Sequence, residues 1–209
     1  MRNVLRLAGL ALVAAGATSC GDVVRQGSSP VYLVIDSLAA TRGGSTSSTA
    51  ASTLLSDVIT NATTPAPCST SSPCPTVFDD SGTVRLRAPL KDIGGATPLV
   101  PTTNNEVTIT RYTVEYTRTD GRNVPGVDVP YPIDGAITGT IPEGNNTLTI
   151  SFEIVRHTAK QEAPLAELRT SPNIIVTNAR VTFYGKDRVG NDVSATGYIQ
   201  INFGNFGDI

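Results

Sequence analysis

The sequence predicts an all-β protein, an antiparallel β-sandwich of about seven strands. Its composition is rich in Thr, Val, Gly, Ser and Asn, lacks Trp and contains a single Met, which favours strands and turns over long helices. From residue 77 onward, alternating apolar and polar runs recur with turn residues between them. The two strongest runs, Ile174–Tyr184 and Val193–Phe203, flank a polar turn and predict a terminal antiparallel hairpin.

The N-terminus has the pattern of a secretion signal. Arg2 and Arg6 precede an apolar run from Leu7 to Ala17, and small residues then lead to Cys20. This run of 11 residues is too short for a transmembrane helix, which needs roughly 20 residues, but it fits the core of a signal peptide. We therefore expect residues 1–19 to be removed on export.

The last residues of this segment, Ala17-Thr18-Ser19-Cys20, resemble the lipobox of bacterial lipoproteins. In that family the cysteine is diacylated and becomes the new N-terminus, so the resemblance implies a lipid anchor on Cys20 and attachment to the cell envelope through acyl chains. Gly21, rather than Asp, follows the cysteine, which implies the outer membrane. The usual Leu of the motif is replaced by Ala17, and cleavage after Ala17, giving a secreted protein without an anchor, is the alternative.

The expected mature chain begins with a short polar tether, residues 20–30, followed by one domain over residues 31–209. Its first strand is predicted at Val31–Ile35. Residues 39–75 then change character, because Ser, Thr, Ala, Gly and Pro dominate. We interpret this segment as a low-complexity insertion after the first strand, with one short ordered element at residues 54–59.

Cys68 and Cys74 lie within the insertion and predict a disulfide, since an exported protein meets an oxidising compartment. A loop this short would pin local structure and not the whole domain. Two unpaired thiols are the alternative. A structural zinc site is disfavoured, because two cysteines and one distant histidine are fewer than the usual four ligands.

The middle of the chain predicts further strands and one irregularity. Residues 83–90 alternate, with Arg85 and Arg87 on the outer face. Within residues 107–117 the apolar residues occupy odd positions in the first half and even positions in the second half. A β-bulge near Thr110-Arg111 would keep both sets on the inward face. Residues 148–155 form the clearest core strand, and a helical turn begins at Pro164.

The segment Val181–Asp192, followed by an alternating strand, resembles the closing strands of bacterial immunoglobulin-like domains, in which an Asp-x-x-Gly-Asn turn often joins them. The resemblance implies an immunoglobulin-like β-sandwich. It implies no reaction, because this fold carries many functions.

The net charge of −2, with 16 basic and 18 acidic residues spread along the chain, provides no basic stripe, so nucleic acid is not an expected partner. His157 is the only histidine and is expected at the surface at the end of a strand. No Gly-x-Ser-x-Gly motif is present. We therefore expect neither catalysis nor a cofactor, although a carboxylate pair of the glycosidase type depends on a spatial separation that sequence does not reveal.

Two acidic turns are candidate calcium sites, because Ca²⁺ takes six to eight oxygen ligands from a bent backbone. One contains Asp79 and Asp80, and the other contains Asp187, Asn191 and Asp192. The alternative is that these are ordinary β-turn residues.

Tyr184 and Tyr198 alternate with the inward-facing residues of the terminal hairpin. They are therefore expected to face outward and could form a stacking surface for a glycan. The leading hypothesis is nevertheless a lipid-anchored envelope protein that acts as a structural or protein-interaction module, docking a protein partner through an outward strand edge. A ligand-binding lipoprotein for a glycan or calcium is the alternative.

Overall fold

The computed structural model describes residues 28–44, 49–91 and 99–207. Two sheets pack face to face as a β-sandwich of the immunoglobulin-like type, which confirms the predicted fold class. The predicted signal peptide, the lipidation residue Cys20 and most of the predicted tether lie outside the described residues. No helix in the described part of the chain is long and apolar enough to cross a membrane.

The strands are numbered in chain order. The smaller sheet has the antiparallel order β1-β5-β8, and the larger sheet has the order β2-β10-β9-β6-β7. The chain leaves the smaller sheet after β1 and joins the larger sheet as β2, parallel to the final strand. A separate two-stranded sheet pairs β3 with β4. The bounds are β1 Val34–Thr41, β2 Thr53–Asp57, β3 Thr60–Ala62, β4 Cys74–Thr76, β5 Asp80–Arg87, β6 Val107–Thr117, β7 Ile133–Ile141, β8 Thr147–Val155, β9 Ile175–Asp187 and β10 Asp192–Gly204.

The core lies between the two sheets and is built from alternating residues of each strand. At its centre the Phe152 ring lies 5.1 Å from the Tyr112 ring and 5.2 Å from the Phe183 ring, in edge-to-face contacts. Such pairs stabilise a core by about 0.5–1.5 kcal/mol beyond the area they bury. A Cβ atom on Gly82 would lie 2.4 Å from the Phe152 ring, so the absence of a side chain there lets the aromatic cluster reach the sheet.

Several expectations are confirmed in detail. The register of β6 shifts between Ile109 and Arg111 against both neighbouring strands, where the parity switch had predicted a bulge. Strands β9 and β10 form the terminal hairpin, with a shorter turn than expected. Arg85 and Arg87 lie on the exposed face of β5.

Other boundaries differ from the predicted ones. The first strand begins at Val34 rather than Val31 and continues to Thr41, inside the segment interpreted as an insertion. Residues 39–75 also contain β2, β3 and most of β4, of which β2 matches the single ordered element that had been expected. Strands β3 and β4 were not predicted, because each has only three residues and neither shows an apolar alternation. The two main sheets together contain eight strands.

The connection from β8 to β9 closes one end of the sandwich. Its main element is a 3₁₀ helix, Leu165–Thr170, which begins directly after Pro164 as the sequence suggested. Leu165 and Leu168 on this helix are buried against the core. The helix therefore covers the apolar opening between the sheets.

Candidate functional site at the distal end

The two ends of the sandwich differ in what they present. The described chain starts at the end that carries the β9–β10 turn, where buried Ser29 lies beside Asp187 and Val31 bridges to Leu90. We call this the entry end. At the opposite end, the distal end, β6 leads into the loop 118–132 and β8 leads into the connection 156–174.

A cleft of about 350 Å³ opens between these two connections. Val127, Leu168 and Ile174 contribute apolar walls, while two arginines and two carboxylates contribute charge. The charged residues that line the cleft are Arg118, Arg122, Asp128 and Glu167.

Ion pairs order the arginine side of the cleft. Asp120 lies 2.6 Å from Arg118 and 2.8 Å from Arg122, so one carboxylate bridges two guanidinium groups. Hydrogen bonds from these two arginines hold the pKa of Asp120 below its ordinary value. Asp128 in turn accepts a hydrogen bond of 3.0 Å from the backbone N–H of Val124, which closes the loop on itself.

Aliphatic side chains surround the mouth of the cleft. Val127 and Ile174, which line the cleft, are each more than half exposed, as is Val124 in the same loop as Val127. Isolated exposed aliphatic residues are ordinary, but residues of this kind grouped around a cleft with charged walls are typical of an interaction surface. The sequence did not single out this region, because its members come from two connections that are far apart in the chain.

Below the distal end a buried ion pair and its hydrogen bonds join four segments of the chain. Lys160 Nζ lies 2.8 Å from Asp80 Oδ2, and both side chains are almost fully buried. Ser56 donates a hydrogen bond of 2.6 Å to the same carboxylate, and the N–H of Gly43 donates one of 2.9 Å. Burial raises the pKa of Asp80, against the lowering effect of the Lys160 charge and of these hydrogen bonds.

This arrangement bears on the first predicted calcium turn. Asp80 is at the start of β5, and its carboxylate is paired with the ammonium group of Lys160. Its neighbour Asp79 is exposed. The position that a cation would take beside Asp80 is therefore filled by the protein's own cation. The burial of Lys160 could not be predicted from the sequence, since nothing in its local pattern distinguishes a buried lysine from a solvated one.

The second predicted calcium turn lies at the entry end, on the other side of the molecule. Asp187 Oδ1 accepts hydrogen bonds from the N–H groups of Val189 (3.0 Å) and Asn191 (2.8 Å), and Oδ2 accepts one of 2.8 Å from the Asn191 amide. Burial raises the pKa of Asp187, but these donors together with Ser29 outweigh it and lower the pKa overall. Asp192 pairs with Lys186. The Asp187 carboxylate thus fixes the turn.

No group of three or more His, Cys, Asp or Glu side chains that could hold a metal ion occurs in residues 28–44, 49–91 and 99–207. The two acidic turns are not brought together by the fold. They are separated by the length of the sandwich.

Tyr184 and Tyr198 do lie on the same outer face of the larger sheet. Their positions are four residues apart along the paired strands, because Tyr184 is opposite Ser194 and Tyr198 is opposite Arg180. At about 3.4 Å per residue this separates their backbones by about 14 Å along the sheet. Tyr184 is covered by Arg111, whose guanidinium carbon lies 4.9 Å from the ring centre, while Tyr198 is 68% exposed. Only Tyr198 presents an open ring.

The remaining sequence candidates fall outside these sites. Cys68 and Cys74 form the predicted disulfide, which joins the two-stranded sheet to its own loop. His157 is exposed just after β8, as expected.

No protein-family model matches this sequence, and no curated protein is found to be similar to it.

Proposed function

We propose that this protein is a lipid-anchored, immunoglobulin-like module of the cell envelope that binds a protein partner at its distal end and has no chemistry of its own. One observation supports the proposal. The described chain enters the sandwich at one end, and the cleft with its exposed aliphatic residues is at the opposite end.

An anchor on Cys20 would determine which end of the sandwich lies near the membrane. Eight residue steps separate Cys20 from Ser28, the first described residue, and a chain of that length spans at most about 29 Å. The entry end would therefore stay close to the membrane surface. The distal end would face away from it, where a partner can approach.

The chemistry of the distal end indicates the kind of partner. The aliphatic rim favours burial against apolar side chains, with each well-buried Val or Ile stabilising a complex by about 1.5–3 kcal/mol. Asp128 and Glu167 line the cleft together with the Asp120-bridged arginines, so a partner with both apolar anchors and polar groups fits better than a bare apolar surface.

The test uses the full chain carrying Cys20→Ser, which removes the lipid attachment, as bait in an envelope extract. We expect a protein partner that is captured by this chain and lost with Val127→Asp or Ile174→Asp. The matched control is Val189→Asp, which places the same charge on an exposed valine at the entry end. Equal capture by Val127→Asp and Val189→Asp would refute a distal binding site.

The anchor is tested separately. Incorporation of a labelled fatty acid should be abolished by Cys20→Ser, because acylation requires the thiol. Labelling that persists in this variant would refute the lipobox interpretation and leave a secreted protein.

A glycan is the second candidate ligand, and the exposed ring of Tyr198 beside Arg180 favours it. A glycan that binds only the folded state must raise the melting temperature, and the rise increases with the glycan concentration relative to its Kd. A rise with envelope glycans that disappears in Tyr198→Ala would support this second function. Calcium, the other ligand suggested by the sequence, is tested in the same assay with Asp187→Ala as its variant.

A further inference from the structure

Strand β7 forms an open edge of the larger sheet. In the described part of the chain it pairs with β6 alone, which leaves the backbone groups on its other side without a strand partner. An edge of nine residues is long enough to accept another strand.

The edge lacks the basic side chains and prolines that often prevent such pairing. Its single charge, Asp134, is held by Arg111 through two contacts of 2.7 Å. The register shift against β6 falls at Ile137–Thr138, where three steps of β7 oppose two steps of β6, but the burial of β7 still alternates from Ile133 to Ile141. The edge is therefore nearly uncharged, and its inward-facing residues keep their alternation.

The sequence of β7 identifies the partner. Its inward residues read Ile133, Gly135, Ile137, Gly139 and Ile141, a pattern that is the same in both directions. Antiparallel pairing about Ile137 places each Ile opposite an Ile and each Gly opposite a Gly. It places the charge of Asp134 opposite Thr140 and not opposite another Asp134. A surface that is complementary to itself is what a two-fold interface requires.

Side chains next to the edge would gain burial from this pairing. Ile137 on β7 and Leu148 and Ile150 on β8 are only partly buried, although they pack against the core. Leu148 and Ile150 pack against the inward face of Gly139, where a Cβ atom would lie 2.9 Å and 2.8 Å from them. A second β7 strand would bring its own isoleucines close to these side chains.

From these observations we propose that two copies of this chain associate through antiparallel pairing of their β7 strands, with the two-fold axis at Ile137. The interface continues the larger sheet from one copy into the other. Because the pairing is antiparallel, the distal end of one copy lies beside the entry end of the other. The proposal therefore does not rest on the membrane orientation proposed above, and it is tested on the chain without its anchor.

The test exploits the position of the axis. In the full chain carrying Cys20→Ser, the Cys68–Cys74 disulfide leaves no other free thiol. Ile137→Cys then places two thiols on directly opposed residues, whose Cα atoms lie about 4.5–5.5 Å apart in an antiparallel pair and so meet the geometry of a disulfide. Mild oxidation should give a covalent dimer.

Thr140→Cys is the matched control, because six residues separate it from its own counterpart in this register, about 20 Å along the strand. We expect no covalent dimer from it. Equal cross-linking of Ile137→Cys and Thr140→Cys, or none from either in folded protein, would overturn the proposed register.

A second measurement starts from the Cys20→Ser chain with the natural β7 sequence. Sedimentation of the Cys20→Ser chain should show a dimer that forms with increasing concentration and that Ile137→Lys weakens at least tenfold. Hydrogen exchange of the β7 amides should slow over the same concentration range. A chain that stays monomeric throughout, or one whose self-association is unchanged by Ile137→Lys, would refute the proposal.

Discussion

The ammonium of Lys160 lies 2.8 Å from Asp80 Oδ2, and the two side chains are among the most deeply buried charged groups of the protein. Ser56 and Gly43 complete the shell around the carboxylate. The Asp80 carboxylate connects the segment after β1, strands β2 and β5, and the connection after β8, so it fastens that connection to both sheets.

Breaking this pair should be costly. Lys160→Met removes the cation that pairs with Asp80 and leaves a buried carboxylate, and we expect a loss of about 3–5 kcal/mol in the free energy of unfolding. Urea denaturation at pH 7 measures it. Lys186→Met, in the half-exposed pair with Asp192, is the control and should cost less than about 1 kcal/mol. Similar losses of unfolding free energy in the two variants would show that burial does not increase the contribution of the Lys160–Asp80 pair to stability.

The Asp187 turn should make stability depend on pH. Its pKa is lower in the folded protein than in the unfolded chain, where a carboxyl titrates near about 3.9. The folded state therefore binds this proton less readily. The stability that Asp187 contributes is present above that pH and is lost as the pH falls through the folded pKa.

Asp187→Ala should accordingly destabilise the protein by about 1–3 kcal/mol at pH 7, because it removes the acceptor for the turn's N–H groups. The difference from the unsubstituted chain should shrink as the pH falls from about 3.9, the unfolded value, through the lower folded pKa of Asp187. Urea denaturation at pH 7 and along this acid range measures it, with exposed Asp79→Ala as the control. A difference that does not change with pH would contradict the assignment.

The Cys68–Cys74 disulfide should be dispensable for the sandwich. It closes a short loop next to β3 and β4, which pair only with each other, so its removal should cost at most about 2 kcal/mol. The double variant Cys68→Ser/Cys74→Ser should keep its circular dichroism spectrum and gain a protease-sensitive site within residues 63–73. Global unfolding of the variant would assign the disulfide a larger role.

Gly135 should not tolerate a side chain. A Cβ atom there would lie 2.3 Å from the Tyr112 ring, which is packed into the aromatic cluster and cannot move away freely. Gly135→Ala should lower the melting temperature through overpacking, at a cost of about 1–3 kcal/mol. Gly207→Ala, where no atom lies within 4 Å of the added Cβ atom, is the control and should leave it unchanged.

The sequence predicted most of the fold because alternation with period two directly reports which face of a strand is buried. It predicted the terminal hairpin, the outward arginines of β5 and the bulge at Thr110-Arg111, where the parity of the apolar residues switches. Strands β3 and β4 were hidden in low-complexity sequence, since three residues are too few to show an alternating pattern. The sequence indicated an ordered element at β2, but its parallel pairing with β10 depends on residues that are distant in the chain.

For the sites, the sequence by itself determined the residue types: the anchor motif, the cysteine pair, the acidic turns and the outward tyrosines. Only the tertiary structure decided their relationships. It placed Lys160 against Asp80 and put the acidic turns at opposite ends of the molecule. It also separated Tyr184 from Tyr198 and assembled the distal cleft from two connections. The physical reason is that burial and Coulomb attraction depend on distances in space, and for residues far apart in the chain these distances are set by how the sheets pair and pack.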